Sequence, residues 1–185
     1  METSTFDPIQ LPFSDEGAWN LICEGRTKGI FQLESSLGKA WAKRVKPKNI
    51  EELAALVSII RPGCLKAIVD GKSMTQHYVD RKNGDEEITY VDESLEPILK
   101  KTQGVLVYQE QSMEIAQKIA GFNLQEADDL RKAIGKKKAD LMAKVKKRFV
   151  QGAIDEAVVS KEAAEEIFSW IEKSSRYAFN KSHAV

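Results

Sequence analysis

The sequence predicts a mainly α-helical protein with one or two short strands. Apolar residues recur at helical spacing through most of the chain, and several of these runs are preceded by Asn or Ser and closed by Gly or Pro. Hydrophobic residues make up 42% and charged residues 30% of the 185, a balance that supports a packed core rather than disorder.

In the first half, Ser14 stands where a cap would start a helix through Ile22, with Ala18, Leu21 and Ile22 on one face and Gly25 as the stop. Residues 29–34 are rich in β-formers and read as a short strand or extended turn. A helix over about 37–45 carries Trp41 and ends before Pro47. Asn49 and Glu52 form an N-x-x-E capping box for a helix whose buried stripe is Leu53, Leu56, Val57 and Ile60. Arg61-Pro62-Gly63 breaks that helix, and the polar stretch 81–92, with its Asn83-Gly84 turn signal, reads as a surface loop or irregular hairpin.

From Gly104 onward, helix follows helix. One runs over about 107–120 and stops at Gly121. Asn123 and Glu126 open the next, with Ala127, Leu130 and Ile134 facing inward until Gly135. A third covers about 140–157 with Leu141, Val145 and Phe149 on one face. Ser160 caps the last, in which Ala164, Ile167, Phe168 and Ile171 recur at helical spacing.

Several function classes fall away on composition. Cys23 and Cys64 match no metal-ligand spacing, and two histidines, His77 and His183, are too few for a His-rich metal site. No G-x-S-x-G motif supports a hydrolase. With no apolar run long enough for a membrane span and no leader, the expected compartment is the cytoplasm. The 28 basic and 28 acidic side chains cancel, so a polyanion-binding face requires its cations to be clustered.

They are clustered. Arg131, Lys132, Lys136, Lys137 and Lys138 fall in one stretch without an acid, and Lys144, Lys146, Lys147 and Arg148 extend it. Arg131 borders the apolar stripe of its helix, and a turn at Gly135 would let the following lysines converge on one concavity. Cations around such a turn suit a triphosphate or a nucleic-acid backbone; a solvated charged helix fits the same spacing. In the C-terminal tail, Tyr177 and Phe179 offer rings, Asn180 and Ser182 hydrogen bonds, and Lys181 and His183 positive charge. That mix suits stacking on a base with donation to phosphate, and also fits a helix end whose aromatics pack. Tyr108, Gln109, Glu110 and Gln111 are a third candidate, equally explained by a capped surface helix. The carboxylates point the other way. Asp128-Asp129 is the only adjacent Asp pair, and successive helical residues diverge by about 100°. That pair is a poor holder of the two metal ions that phosphoryl transfer needs.

Five strings in order carry a resemblance: Gly29-Ile-Phe-Gln-Leu-Glu-Ser35, Arg61-Pro-Gly63, Tyr108-Gln-Glu-Gln111, the run from Ala127 to Lys138, and Phe179-Asn-Lys-Ser-His183. Together they resemble the fingers region of the family C DNA polymerases, the bacterial DNA polymerase III alpha subunits. The resemblance spans about residues 9–183. It implies a helical fingers subdomain, with 1–103 as a proximal region adjoining a palm and 104–185 as the nucleotide-binding region. Arg131 then matches a triphosphate-binding arginine, with Lys132 and Lys136–Lys138 in the basic run beside it. Tyr177, Phe179 and His183 match the family's nucleotide pocket, Asn180, Lys181 and Ser182 belong to the same motif, and Arg61 is a further family position.

The implied activity is that of a DNA-directed DNA polymerase, a nucleotidyltransferase. Its partners would be a deoxynucleoside triphosphate, primer-template DNA, a palm-bearing polypeptide and, through other parts of the assembly, a sliding clamp. Two magnesium ions are implied for the assembled enzyme, held by three palm aspartates preceding the matched segment and by no residue here. The alternative is a non-catalytic DNA-binding, decoy or remnant module derived from such a polymerase. The chain departs from the family in three places: Lys132 follows Arg131 where two arginines are usual, Cys64 follows Arg61-Pro-Gly, and Ala178 precedes Phe179. Lysine keeps the charge but loses the bidentate fork.

Overall fold

The computed structural model describes residues 10, 12–136, 139–174 and 177–184, apart from the side chains of residues 135, 136 and 139. Ten α-helices and one two-stranded antiparallel sheet lie among them.

The first lobe is built from short, well-capped pieces. α1 (Glu16–Cys23) is capped by Asp15, whose Oδ1 accepts Ala18 N–H at 2.9 Å, rather than by Ser14. Residues 29–34 form consecutive turns with positive φ at Gly29 and Gln32, and contain no strand. α2 (Ser36–Val45) and α3 (Ile50–Ile59) follow. Asn49 caps α3 through Glu52 N–H, while the Glu52 carboxylate reaches back to Lys48 N–H instead of Asn49. The buried face of α3 is Ala54, Ala55, Leu56, Ser58 and Ile59, continued by Ile60. Leu53 and Val57, expected on that stripe, are only half-buried, because packing covers the adjoining face through alanines that periodicity underweights.

Pro62, which ends α3's path, also opens α4 (Pro62–Lys66), as its locked φ suits a first helical position. β1 (Ile68–Val69) and β2 (Lys72–Ser73) then pair Ile68 with Ser73 and Val69 with Lys72. Asp70 and Gly71, both at positive φ, make the tight turn between them. The expected polar loop over 81–92 needs correction. α5 (Met74–Asn83) runs through the first part of it and ends at Gly84 in the left-handed conformation. Its buried face includes Thr75 and His77, so hydropathy alone understates it.

The second lobe is a helix bundle. α6 (Glu96–Leu99) leads through an extended segment to α7 (Gln109–Ala120), α8 (Leu124–Lys136), α9 (Ala139–Glu156) and α10 (Lys161–Ser174). Asn123 and Glu126 close a full capping box, each side chain accepting the other's backbone N–H at 2.9 Å. α8 runs on through Gly135 to Lys136, so residue 135 is not the turn. The core of this lobe centres on Phe122, Phe149 and Phe168, with ring centroids 6.0 and 5.4 Å apart in succession.

Residues 105–107 stand between two hydrophobic cores. Val105 and Val107 pack with Leu56, Ile59 and Tyr78 in the first lobe, while Leu106 packs with Ile115, Phe149 and Phe168 in the second. This is the period-two alternation of an extended chain buried on both faces.

Candidate functional site

Stretches far apart in sequence meet where α7 begins. After α10 the chain returns to lie beside residues 107–109. Phe179 N–H donates to the Val107 carbonyl at 2.8 Å, and Gln109 N–H donates to the Phe179 carbonyl at 2.9 Å, a parallel bridge between Tyr108 and Phe179. Glu110, in the first turn of α7, accepts Lys181 N–H on both oxygens, at 3.1 and 3.0 Å. The Asn180 side-chain oxygen accepts the N–H and hydroxyl of Ser182, shaping a single 3-10 turn over Lys181–His183.

Rings and cations alternate around this docked tail. The Arg61 guanidinium lies 4.5 Å over the Phe179 ring, and the Lys181 ammonium 5.6 Å from the Tyr108 ring. The His183 and Phe179 centroids are 6.3 Å apart. Tyr177 donates its hydroxyl to Ser174 Oγ at 3.1 Å. Burial pushes the Tyr177 phenol up to about 12, against the opposing pull of that hydrogen bond. Burial likewise takes Tyr108 to about 12, with a Ser58 hydrogen bond opposing. Both phenols therefore stay neutral near pH 7.

Arg131 sits at the edge of the same face. A shallow depression is lined by Gln109, Ser112 and Met113 of α7, Leu130, Arg131 and Ile134 of α8, and Ala178 of the tail. Arg131 donates Nε and Nη2 to Asp128 Oδ1 at 2.9 and 2.7 Å, and Lys132 Nζ lies 2.8 Å from Asp128 Oδ2. Hydrogen bonds from Lys132 and Arg131 hold the Asp128 carboxyl below the usual range, and the same contact raises Lys132. Lys137, Lys138 and the Lys136 side chain lie outside the described residues.

Other expected members take different places. Arg148 does not extend the basic face. Its guanidinium pairs with Glu126 at 2.8 Å, donates to the Ala120 carbonyl at 3.2 Å and lies 5.0 Å over Phe122, stapling α9 to the α7–α8 corner. Gln111 is buried, not at the surface. Its Oε1 accepts Val107 and Tyr108 N–H at 2.9 and 3.0 Å, and its Nε2 donates to the Ile98 carbonyl and Thr102 Oγ1 at 3.2 and 2.8 Å. The sequence singled out Glu110 and Gln111 without distinguishing them. Only the fold separates the tail-holding carboxylate from the core-bridging amide.

The Asp128 and Asp129 carboxylates face Arg131 and Lys132, and no group of three or more His, Cys, Asp or Glu suited to a metal ion occurs among the described residues. No helix among them is long and apolar enough to cross a membrane. A second groove of about 520 Å³ runs past His77, Arg81, Tyr90, Trp170 and Lys173, and no expected site residue lines it.

The family model of the bacterial DNA polymerase III alpha subunit finger domain matches residues 1–157. The chain belongs to this family. It is 45% identical over 177 residues to DNA polymerase III subunit alpha of Aquifex aeolicus, covering 96% of this chain and 15% of that protein. The Escherichia coli K12 subunit is 41% identical over 184 residues, covering 97% of this chain and 15% of its own length. The Bacillus subtilis subunit is 39% identical over 184 residues, covering the whole chain and 16% of its own. The chain thus spans about 15% of the length of these curated relatives. Within the finger domain, the tail pairs with the start of α7, and its Ala178 lines one depression with Gln109 of α7 and Arg131 of α8.

Proposed function

We propose that this finger segment grips the triphosphate of an incoming deoxynucleotide during template-directed DNA synthesis in the cytoplasm. Arg131 and Lys132 would neutralise the phosphates as charge builds in the transition state. Tyr177 and Phe179 would wall the nucleoside, with Asn180, Lys181, Ser182 and His183 supplying hydrogen bonds and charge. The observation behind this reading is that Arg131 of α8 and Ala178, which precedes Phe179 in the tail, line the same shallow depression beside Gln109.

The polymerase chemistry implied by the family uses magnesium. Asp128 and Asp129 do not fit that role, since Arg131 and Lys132 already claim their carboxylates. In this reading the metal-holding aspartates come from a palm-bearing polypeptide, and the sliding clamp is met through other parts of the assembly.

The test is Arg131→Ala in this chain. Loss of deoxynucleotide binding with primer-template binding retained supports the proposal. A second reading, a non-catalytic DNA-binding module, is favoured by Lys144, Lys146 and Lys147, which are exposed on α9 and make no ion pair with the described residues. That reading expects the three lysines, and not Arg131, to set affinity for DNA and no nucleotide binding to appear.

A further inference from the structure

We infer that Arg61 is a phosphate-binding residue of this face, a role that rests on the proposed nucleotide-gripping function and extends it to the first lobe. Arg61 comes from a different lobe and a different motif than the basic run of α8.

Three observations carry the assignment. Arg81, Arg131 and Arg148 each hold a carboxylate within 2.9 Å, whereas exposed Arg61 has no carboxylate partner among the described residues. Its guanidinium is nevertheless held in place. Cζ lies 4.5 Å over the Phe179 ring, and the backbone is fixed as the residue before Pro62 at the start of α4. Stacking occupies a face of the guanidinium and leaves its N–H edge free, and that planar fork matches two oxygens of a phosphate.

The acids that act on Tyr108 are committed elsewhere. Glu110 spends both oxygens on Lys181 N–H, and Glu51 holds Lys101 at 2.7 Å. Arg61, stacked on Phe179, is therefore left without a carboxylate partner among the described residues, and its fork is open to a ligand. An oriented arginine with no carboxylate partner, stacked on the Phe179 ring, suits a phosphate ester, whether of a nucleotide or of a nucleic-acid strand.

The experiment measures binding of a deoxynucleoside triphosphate and of a primer-template duplex to the full chain across a NaCl series. Variants are Arg61→Ala, Arg61→Gln as a second fold-preserving change, Arg61→Lys, and Arg131→Ala. Both neutral variants should weaken at least one probe roughly tenfold, and Arg61→Lys should recover only part of the loss because it lacks the fork. Loss confined to the triphosphate identifies the nucleotide as the source of the phosphate. Loss confined to the duplex, with the salt slope shallower by about 0.9, identifies the strand. Unchanged binding of both probes by Arg61→Ala or Arg61→Gln overturns the assignment, as does full recovery by Arg61→Lys. Triphosphate binding that survives Arg131→Ala but falls with Arg61→Ala refutes the Arg131 reading alone. A wild-type chain that binds neither probe overturns both.

Discussion

The Glu110 carboxylate and the Lys181 backbone N–H are joined across 71 residues of sequence, with both oxygens accepting the same hydrogen at 3.1 and 3.0 Å. A charged acceptor on a backbone donor contributes about 1.5–3 kcal/mol, enough to order a short segment but small beside the stability of two cores. Glu110→Ala should therefore free the tail without unfolding the protein. Exchange of the Lys181 amide should speed at least tenfold, with the unfolding midpoint nearly unchanged. An amide as protected as in wild type would show that the tail is held by its ladder to residues 107–109 alone.

Gln111 makes the opposite kind of contribution. Replacing it with Leu strands the buried Val107 and Tyr108 N–H groups and removes the donor to Ile98 and Thr102. Each orphaned group costs about 1–3 kcal/mol, so Gln111→Leu should lower stability by roughly 3 kcal/mol in urea unfolding. Gln111→Glu should also destabilise, because an ionised carboxylate cannot donate to the Ile98 carbonyl.

Glu86 sets an acid limb on stability. Burial alone would raise its carboxyl, but hydrogen bonds from His77, Arg81 and Lys72 overcome that and hold it at about 2, below the ordinary 4.5. A depressed folded value means the stabilisation is present in full above the unfolded value, and is lost as pH falls from about 4.5 towards about 2. Glu86→Gln should lower the unfolding midpoint at pH 7 and flatten its decline across that window. A variant whose decline stays parallel to wild type would place the acid sensitivity elsewhere.

Gly152 marks the closest approach of α9 to the end of α7. A Cβ there would lie 2.2 Å from the Ala120 carbonyl oxygen, a backbone atom that cannot swing aside. Gly152→Ala should cost about 1–3 kcal/mol, read as a lowered calorimetric midpoint, despite alanine's better helix propensity.

The sequence made the second lobe legible because its helices announce themselves locally. Asn123 with Glu126, Ser160, and the stop at Gly121 are contacts within three to five residues, and each recurs in the fold. α5 escaped because His77 and Thr75 are buried polar groups whose partners, Glu86 and the Ile59 carbonyl, lie outside the helix. The Asp70-Gly71 turn was a readable signal for the hairpin, yet its strands are only two residues long, too short for alternation to register. At the candidate site, charge and ring content marked Arg131 and the tail. The stacking of Arg61 on Phe179 and the hold of Glu110 on Lys181 join residues 71 or more positions apart, and no local pattern encodes them.

The alternating segment at 105–107 has a consequence for how the molecule comes apart. Because Val105 and Val107 belong to one core and Leu106 to the other, neither core can be solvated without pulling apolar side chains out of its neighbour through three consecutive residues. The strand of tail paired to Val107 adds a second tie at the same seam. Two cores coupled in this way melt together, as a single cooperative transition in which the calorimetric and van't Hoff enthalpies agree.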